Sequence, residues 1–314
     1  MYVNYSPWRH SPPPLNRNPK PLTMHWLSLT LFAAFMQAWR NAFQKQLSPH
    51  VPVLGVTLAR FLGAWPLALL WLGYQYLRDA RLPLPAFSPA YLAGIIAAAS
   101  AQIAATALLV QLFRLKNYAV GVGLARSEAV LAAILGVACF GTRLSVTGWL
   151  GVMTGGVAVF LLSGASLRQL SWRALALGLG SGLCFALTSL FVRQAALALP
   201  LPALPAAAWV LASVLILQTA LLLAWLLALD RAALRQLLAH RKLTLATSTA
   251  SFLGSLGWFS AMRLQDVAIV KTVGQIEVLF MLAIANLYFK ERLQKQDGLG
   301  LALIVIAAVL VVWA

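Results

Sequence analysis

The sequence predicts an all-α membrane protein of ten transmembrane helices, arranged as two inverted five-helix repeats, and three observations predict it. Of the 314 residues, 61% are hydrophobic and only 10% are charged, whereas a water-soluble domain carries roughly a quarter of its residues as Asp, Glu, Lys or Arg. Apolar runs of about 20 residues, the length that crosses a bilayer, recur from one end of the chain to the other. The second half also repeats the first at an offset of 148 or 149 positions, on rare residue types as well as common ones.

The first 23 residues are proline-rich and lack the apolar centre of a signal peptide, so residues 1–23 are expected to be a disordered tail with Met24 as the native start. Spanning segments are predicted near 25–47, 52–77, 89–113, 118–140 and 144–163, and these make a first unit over 24–164. A second unit over 165–314 holds segments near 173–197, 205–229, 243–263, 267–289 and 296–314. Short connections rich in Pro, Gly or basic residues separate them. The longest, Asp230 to Lys242, is predicted to form a short amphipathic helix on the membrane surface.

The repeat is carried by residues that chance does not readily align. A shift of 149 takes Arg114 to Arg263, Glu128 to Glu277 and Arg143 to Arg292; a shift of 148 takes Phe43 to Phe191 and Gln46 to Gln194. Five helices is an odd number, so the second copy enters the membrane the other way up. Such inverted repeats are typical of secondary transporters, whose substrates bind near the midplane between the copies.

Charge placement sharpens the site. An ionised side chain at the centre of a membrane helix costs about 2.5–3.5 kcal/mol on insertion scales. Five of the seven acids avoid that cost, since Asp79, Asp230, Asp266, Glu291 and Asp297 lie at segment ends or in loops. Glu128 and Glu277 do not, and they occupy repeat-equivalent places about halfway along their helices. They are the candidate coupling residues, as proton carriers or cation ligands. The plain alternative is a structural ion pair, with partners drawn from other helices because Arg126 and Lys271 are poorly spaced on the same ones.

Arg40, Arg60, Arg126 and Lys271 are four bases inside segments, against those two acids. Lining one cavity, they would favour an anionic or zwitterionic solute, or an anionic lipid headgroup; the alternative for Arg40 and Arg60 is snorkelling to the interface. Polar stripes at helical spacing add candidates for substrate binding. Gln37 and Asn41 flank Arg40, with Gln44 one turn on, while Thr244, Ser248, Ser251 and Ser255 line segment eight. The repeat sets Gln102 opposite Ser251 and Thr106 opposite Ser255. Trp258, Phe259 and Gln275 complete the candidate lining. Helix–helix hydrogen bonding is the plainer explanation of the Ser and Thr positions.

The rest is mostly exclusion. Net charge is +17, but the bases cluster at segment ends, where lipid headgroups hold them, so nucleic acid is not expected as a partner. Cys139 and Cys184 read as small packing residues, and no metal-ligand spacing or cofactor motif occurs. No His lies near Ser, Cys or Asp inside the membrane, which disfavours an intramembrane enzyme. Gly151-x-x-x-Gly155 and Gly178-x-x-x-Gly182 read as close helix contacts.

Several of these pieces resemble EamA-type transporters of the drug/metabolite transporter superfamily. They are Arg60-Phe61, the turn Arg114-Leu115-Lys116-Asn117-Tyr118-Ala119, and Lys290-Glu291-Arg292-Leu293 with Gly298 and Gly300. The first-half signature, Gly141-Thr142-Arg143-Leu144, lacks the usual acid, and the two glutamates fall where the family commonly has proline. The resemblance implies ten helices, inverted repeats and export of small metabolites by alternating access. The expectation is a proton-coupled exporter of a small polar or amphipathic metabolite, without cofactor. It would be a monomer or homodimer among membrane lipid, multi-pass in the bacterial inner membrane, with a cytoplasmic N-terminus. A flippase of an anionic lipid headgroup is the alternative on the same scaffold.

Overall fold

A computed structural model describes residues 25–115, 124–162, 171–287 and 297–313. The proline-rich tail, Met24, Lys116 to Ala119 and the Lys290–Leu293 signature lie outside the described residues. Helices occupy α1 (His25–Leu47), α2 (Val53–Leu62), α3 (Ala64–Arg78), α4 (Pro89–Phe113), α5 (Glu128–Phe140) and α6 (Val146–Leu162). In the second half they are α7 (Trp172–Leu197), α8 (Ala203–Leu229), α9 (Arg231–Ala239), α10 (Arg241–Leu264), α11 (Val267–Gly274), α12 (Glu277–Leu287) and α13 (Asp297–Val312).

Helix ends follow local chemistry. Ser88 caps α4, its hydroxyl accepting from the Tyr91 amide at 3.2 Å, with Pro89 at the first helical position, where a missing N–H costs nothing. Ser171 caps α7 the same way through the Ala174 amide. Gly141 ends α5 in the left-handed region at φ 69°, a conformation glycine adopts without strain. Pro66 explains the break between α2 and α3, because its ring would clash with the carbonyl four residues back, at Leu62. Ser248 of α10 repairs that break, donating to the Ala59 carbonyl at 2.7 Å and accepting from the Gly63 amide at 3.0 Å. Backbone polarity at such depth must be met inside the protein. Asp230 caps α9, and this short helix buries Ala233 and Leu237 against α2 and α8.

Among the described residues, five spans are long and apolar enough to cross a membrane: Val53–Arg78, Pro89–Phe113, Trp172–Leu197, Ala203–Leu229 and Val267–Ile284. Glu128–Phe140, Val146–Leu161 and Leu299–Val312 are shorter apolar helices. Helices α1 and α10 have the length, at 23 and 24 residues, but not the apolarity, because each carries a buried polar stripe. Large exposed side chains on the apolar helices are mostly Leu, Ile and Val, with Tyr74, Met153 and Trp225 among them, an exterior suited to lipid.

Packing between the halves is reciprocal. Helix α1 lies along α10 and α7 along α4, while α6 pairs with α13 and α2–α3 with α8. Small residues allow the close approaches. A Cβ on Gly257 would meet the Leu29 carbonyl at 2.8 Å, and one on Gly151 would meet Val311 at 2.4 Å. Gly182 likewise admits the Ala125 carbonyl and the Ser127 hydroxyl, so the expectation of glycine contacts holds at Gly151 and Gly182. Cys139, by contrast, is exposed rather than packed, because α5 turns that face outward.

Candidate functional site

Glu128 and Glu277 do not sit in mid-helix as the sequence suggests. Each is the first residue of a helix that follows a break, at Arg126–Ser127 before α5 and at Gln275–Ile276 before α12. The chain tightens there. The amides of Ser127, Gln275 and Ile276 bond carbonyls three residues back rather than four, which leaves room for side chains to turn inward. The carboxylates thus lie at helix N-termini, where the macrodipole favours negative charge.

Both carboxylates are buried and both pair with a base from the opposite half. Arg126 grips Glu277 with two nitrogens, Nη2 to Oε1 at 2.7 Å and Nη1 to Oε2. Lys271 Nζ lies 2.7 Å from Glu128 Oε1. The pairs cross between halves because Arg126 and Lys271 lie on the near sides of the two breaks and point across the gap. Glu277 also accepts from Asn41 Nδ2 at 2.8 Å and from Gln37, while Glu128 accepts from Ser189 Oγ at 3.2 Å. Trp258 holds this layer together. Its indole N–H donates to Gln37 Oε1 at 2.9 Å, and the Lys271 ammonium sits 4.2 Å from its ring centroid.

A cavity opens beside these pairs. Eleven of the sequence candidates line it: Glu128, Arg40, Arg60, Arg126, Lys271, Gln37, Asn41, Gln102, Ser255, Trp258 and Phe259. Glu277 and Gln275 line an adjoining smaller cavity that shares Glu128, Arg126 and Lys271. Thr106 lies behind the wall, accepting from Arg60 Nη1 at 2.7 Å. Ser251 is buried and lines neither cavity. Thr244 and Ser248 bond backbone carbonyls, as the plainer reading of the segment-eight stripe had it.

Arg40 and Arg60 are 1% and 3% exposed, so neither snorkels. Arg40 donates from Nε and Nη2 to Asn41 Oδ1, at 3.3 and 3.0 Å, and its Nη1 has no hydrogen-bond partner. Arg60 Nε likewise has none, and its guanidinium stands 5.6 Å from the Phe185 ring. Among the described residues, neither arginine has a carboxylate within ion-pair distance.

Sequence reasoning missed Phe185, Thr188 and Ser189 of α7, which complete the cavity wall. The signal was available: the 148 shift carries Gln37, Arg40 and Asn41 onto those three positions. Polarity hid it, since Phe and Thr stand where the first half has Gln and Arg.

Residues 172–313 match the EamA-like transporter family. Over these residues the chain is similar to EamA-type transporters. With helices long and apolar enough to cross a membrane, the match supports an integral membrane protein of the transporter class. Twenty-six chains of solved structures match it. One, a crystal structure of a protein with 15% sequence identity, aligns with a TM-score of 0.66 over 90% of this chain and 95% of its own, which shows a shared fold. No curated protein matches.

Proposed function

We propose that this chain is a proton-coupled secondary transporter of the EamA type that exports a small polar or amphipathic metabolite by alternating access. In this reading ten spans form two inverted repeats, over 24–164 and 165–314, in a bacterial inner membrane with the N-terminus cytoplasmic. The observation that carries it is the crossed pairing of Arg126 with Glu277 and Lys271 with Glu128 beside one cavity. Ion pairs that span two halves resist their separation. Protonating a carboxylate removes that restraint, so proton uptake and rocking of the halves become one event. Reciprocal packing of α1 on α10 and α7 on α4 supports the repeat itself. So does Arg114, which donates to the Ser48 carbonyl at 3.1 Å as its repeat mate Arg263 donates to the Ala196 carbonyl at 3.1 Å.

Glu128 and Glu277 carry the coupling. Arg126 and Lys271 restrain them, Arg40 and Arg60 hold the solute's anionic group, and Gln102, Ser255 and Trp258 shape the wall. Transport rather than chemistry suits a site whose polar groups surround a cavity without a nucleophile–base pair. Purified protein reconstituted in proteoliposomes tests this. Glu128→Gln and Glu277→Gln are expected to abolish the pH dependence of substrate flux, and undiminished, equally pH-dependent flux in both variants overturns the assignment.

A further inference from the structure

The charges in the cavity do not balance, and the remainder names a class of solute. Four bases face two acids. Arg126 and Lys271 are each committed to a carboxylate, which leaves the buried guanidiniums of Arg40 and Arg60 with no carboxylate at ion-pair distance among the described residues. Each also has a nitrogen with no hydrogen-bond partner. A buried charge left without a counter-ion is strongly unfavourable, so a protein that keeps two has a ligand for them. The same inventory bears on zwitterions. An ammonium group entering the cavity would meet carboxylates that bases already hold, Glu277 through both oxygens with Asn41 beside Arg126, and Glu128 through Oε1, which Lys271 and Ser189 share. The wall also carries apolar side chains, Leu109, Phe185, Phe259 and Met262.

From this we infer that the cavity takes a small soluble dianion with an apolar body, a dicarboxylate or a phosphomonoester, in preference to zwitterions, monoanions and cations. The inference rests on the transporter reading only for its biological sense, since binding is measurable without transport. Arg40 and Arg60 each supply a charge-assisted fork to one negative oxygen cluster. Phe185, already beneath the Arg60 guanidinium, continues as a surface for the ligand's body.

The test is equilibrium binding to the full chain in nanodiscs of neutral lipid, at about pH 8, where a phosphomonoester is doubly ionised. The probes are phenyl phosphate, phthalate, benzoate, phenylalanine and benzylamine, which share a ring and differ in charge. The dianions are expected to bind about tenfold or more tightly than benzoate, and phenylalanine and benzylamine more weakly still. Arg40→Gln and Arg60→Gln are each expected to weaken the dianions by about tenfold or more while leaving benzylamine unchanged or improved. Should either variant misfold, the ranking of probes on the unaltered protein still decides. Phenylalanine or benzylamine matching the dianions overturns the inference, as does dianion affinity that stays within about twofold in both arginine variants. Displacement of phenyl phosphate by phosphatidic acid in the nanodisc also overturns it, by assigning the site to a lipid headgroup. Dianion preference with undiminished, equally pH-dependent flux in both glutamate variants would keep the anion site and remove the proton-coupled reading.

Discussion

Asn41 and Ser189 stand 148 positions apart and do the same thing: each donates a hydrogen bond to the intramembrane carboxylate of the opposite half, Asn41 to Glu277 and Ser189 to Glu128. One holds its acid at 2.8 Å through an amide and the other at 3.2 Å through a hydroxyl. The two halves therefore repeat the geometry and vary the chemistry. Glu277 is fully buried with a two-nitrogen arginine, an asparagine and a glutamine around it, whereas Glu128 has one lysine and one serine and remains slightly exposed.

That inequality predicts unequal energetics. Removing one partner of a buried ion pair typically costs about 3–5 kcal/mol, because the other charge is left uncompensated. Arg126→Gln is expected to approach that range, since Glu277 has no access to water. Lys271→Gln is expected to cost less, because Glu128 keeps Ser189 and some solvent. Denaturation in detergent measures both, and the doubles Arg126→Gln with Glu277→Gln and Lys271→Gln with Glu128→Gln should regain most of each loss. Equal costs for the two single variants would contradict the asymmetry.

The all-helical, membrane-capable class was legible because hydropathy acts over the whole chain. Segment positions follow from apolar length alone, and repeat-matched Glu128 and Glu277 stood out because so few acids are available. The cross pairing was not legible. Lys271 and Arg126 are not repeat mates: the shift of 149 carries Arg126 to Gln275. Which base meets which acid depends on how the breaks before α5 and α12 turn the chain, and no proline or glycine sits at Ser127 or Ile276 to announce them. Ser251 misled for a related reason, since helical spacing gives a stripe but not which part of it reaches the opening.

Gly274 offers a test of the aromatic strut. A Cβ there would stand 2.2 Å from the Trp258 ring, and a ring cannot yield by rotating a flexible end. Gly274→Ala is therefore expected to displace Trp258, loosen Lys271 from the ring face, and cost about 1–3 kcal/mol as overpacking does. The check pairs Trp fluorescence with thermal stability, against Gly73→Ala as a control with open space around its Cβ. An unshifted spectrum and unchanged stability would mean that the ring does not pack on that glycine.

Charge in the cavity also fixes the sign of a pH effect on anion binding. Arg40, Arg60, Arg126 and Lys271 face it together with Glu128 and Glu277. Protonating either glutamate removes one negative charge and releases a base, so phenyl phosphate or phthalate should bind more tightly as pH falls, until the probe itself takes up a proton. Glu128→Gln and Glu277→Gln mimic the protonated state; each should raise dianion affinity at high pH and flatten its pH profile. Affinity that falls on acidification in a range where the probe stays doubly charged would reverse this sign.

The same count bears on the direction of the proposed transport. A dianion that leaves with fewer than two protons moves net negative charge, and a potential negative inside favours its exit by about 2.3 kcal/mol per charge for each 100 mV. Proteoliposomes loaded with phenyl phosphate, with a potassium diffusion potential set by valinomycin, separate the cases. Efflux is expected to speed up when the interior is made negative and to slow when it is made positive, in either orientation of the protein. Efflux that ignores the potential would mean electroneutral movement with two protons per dianion. That would leave the anion site in place but remove the potential as a driving force, and an inward proton gradient would then oppose export through this site.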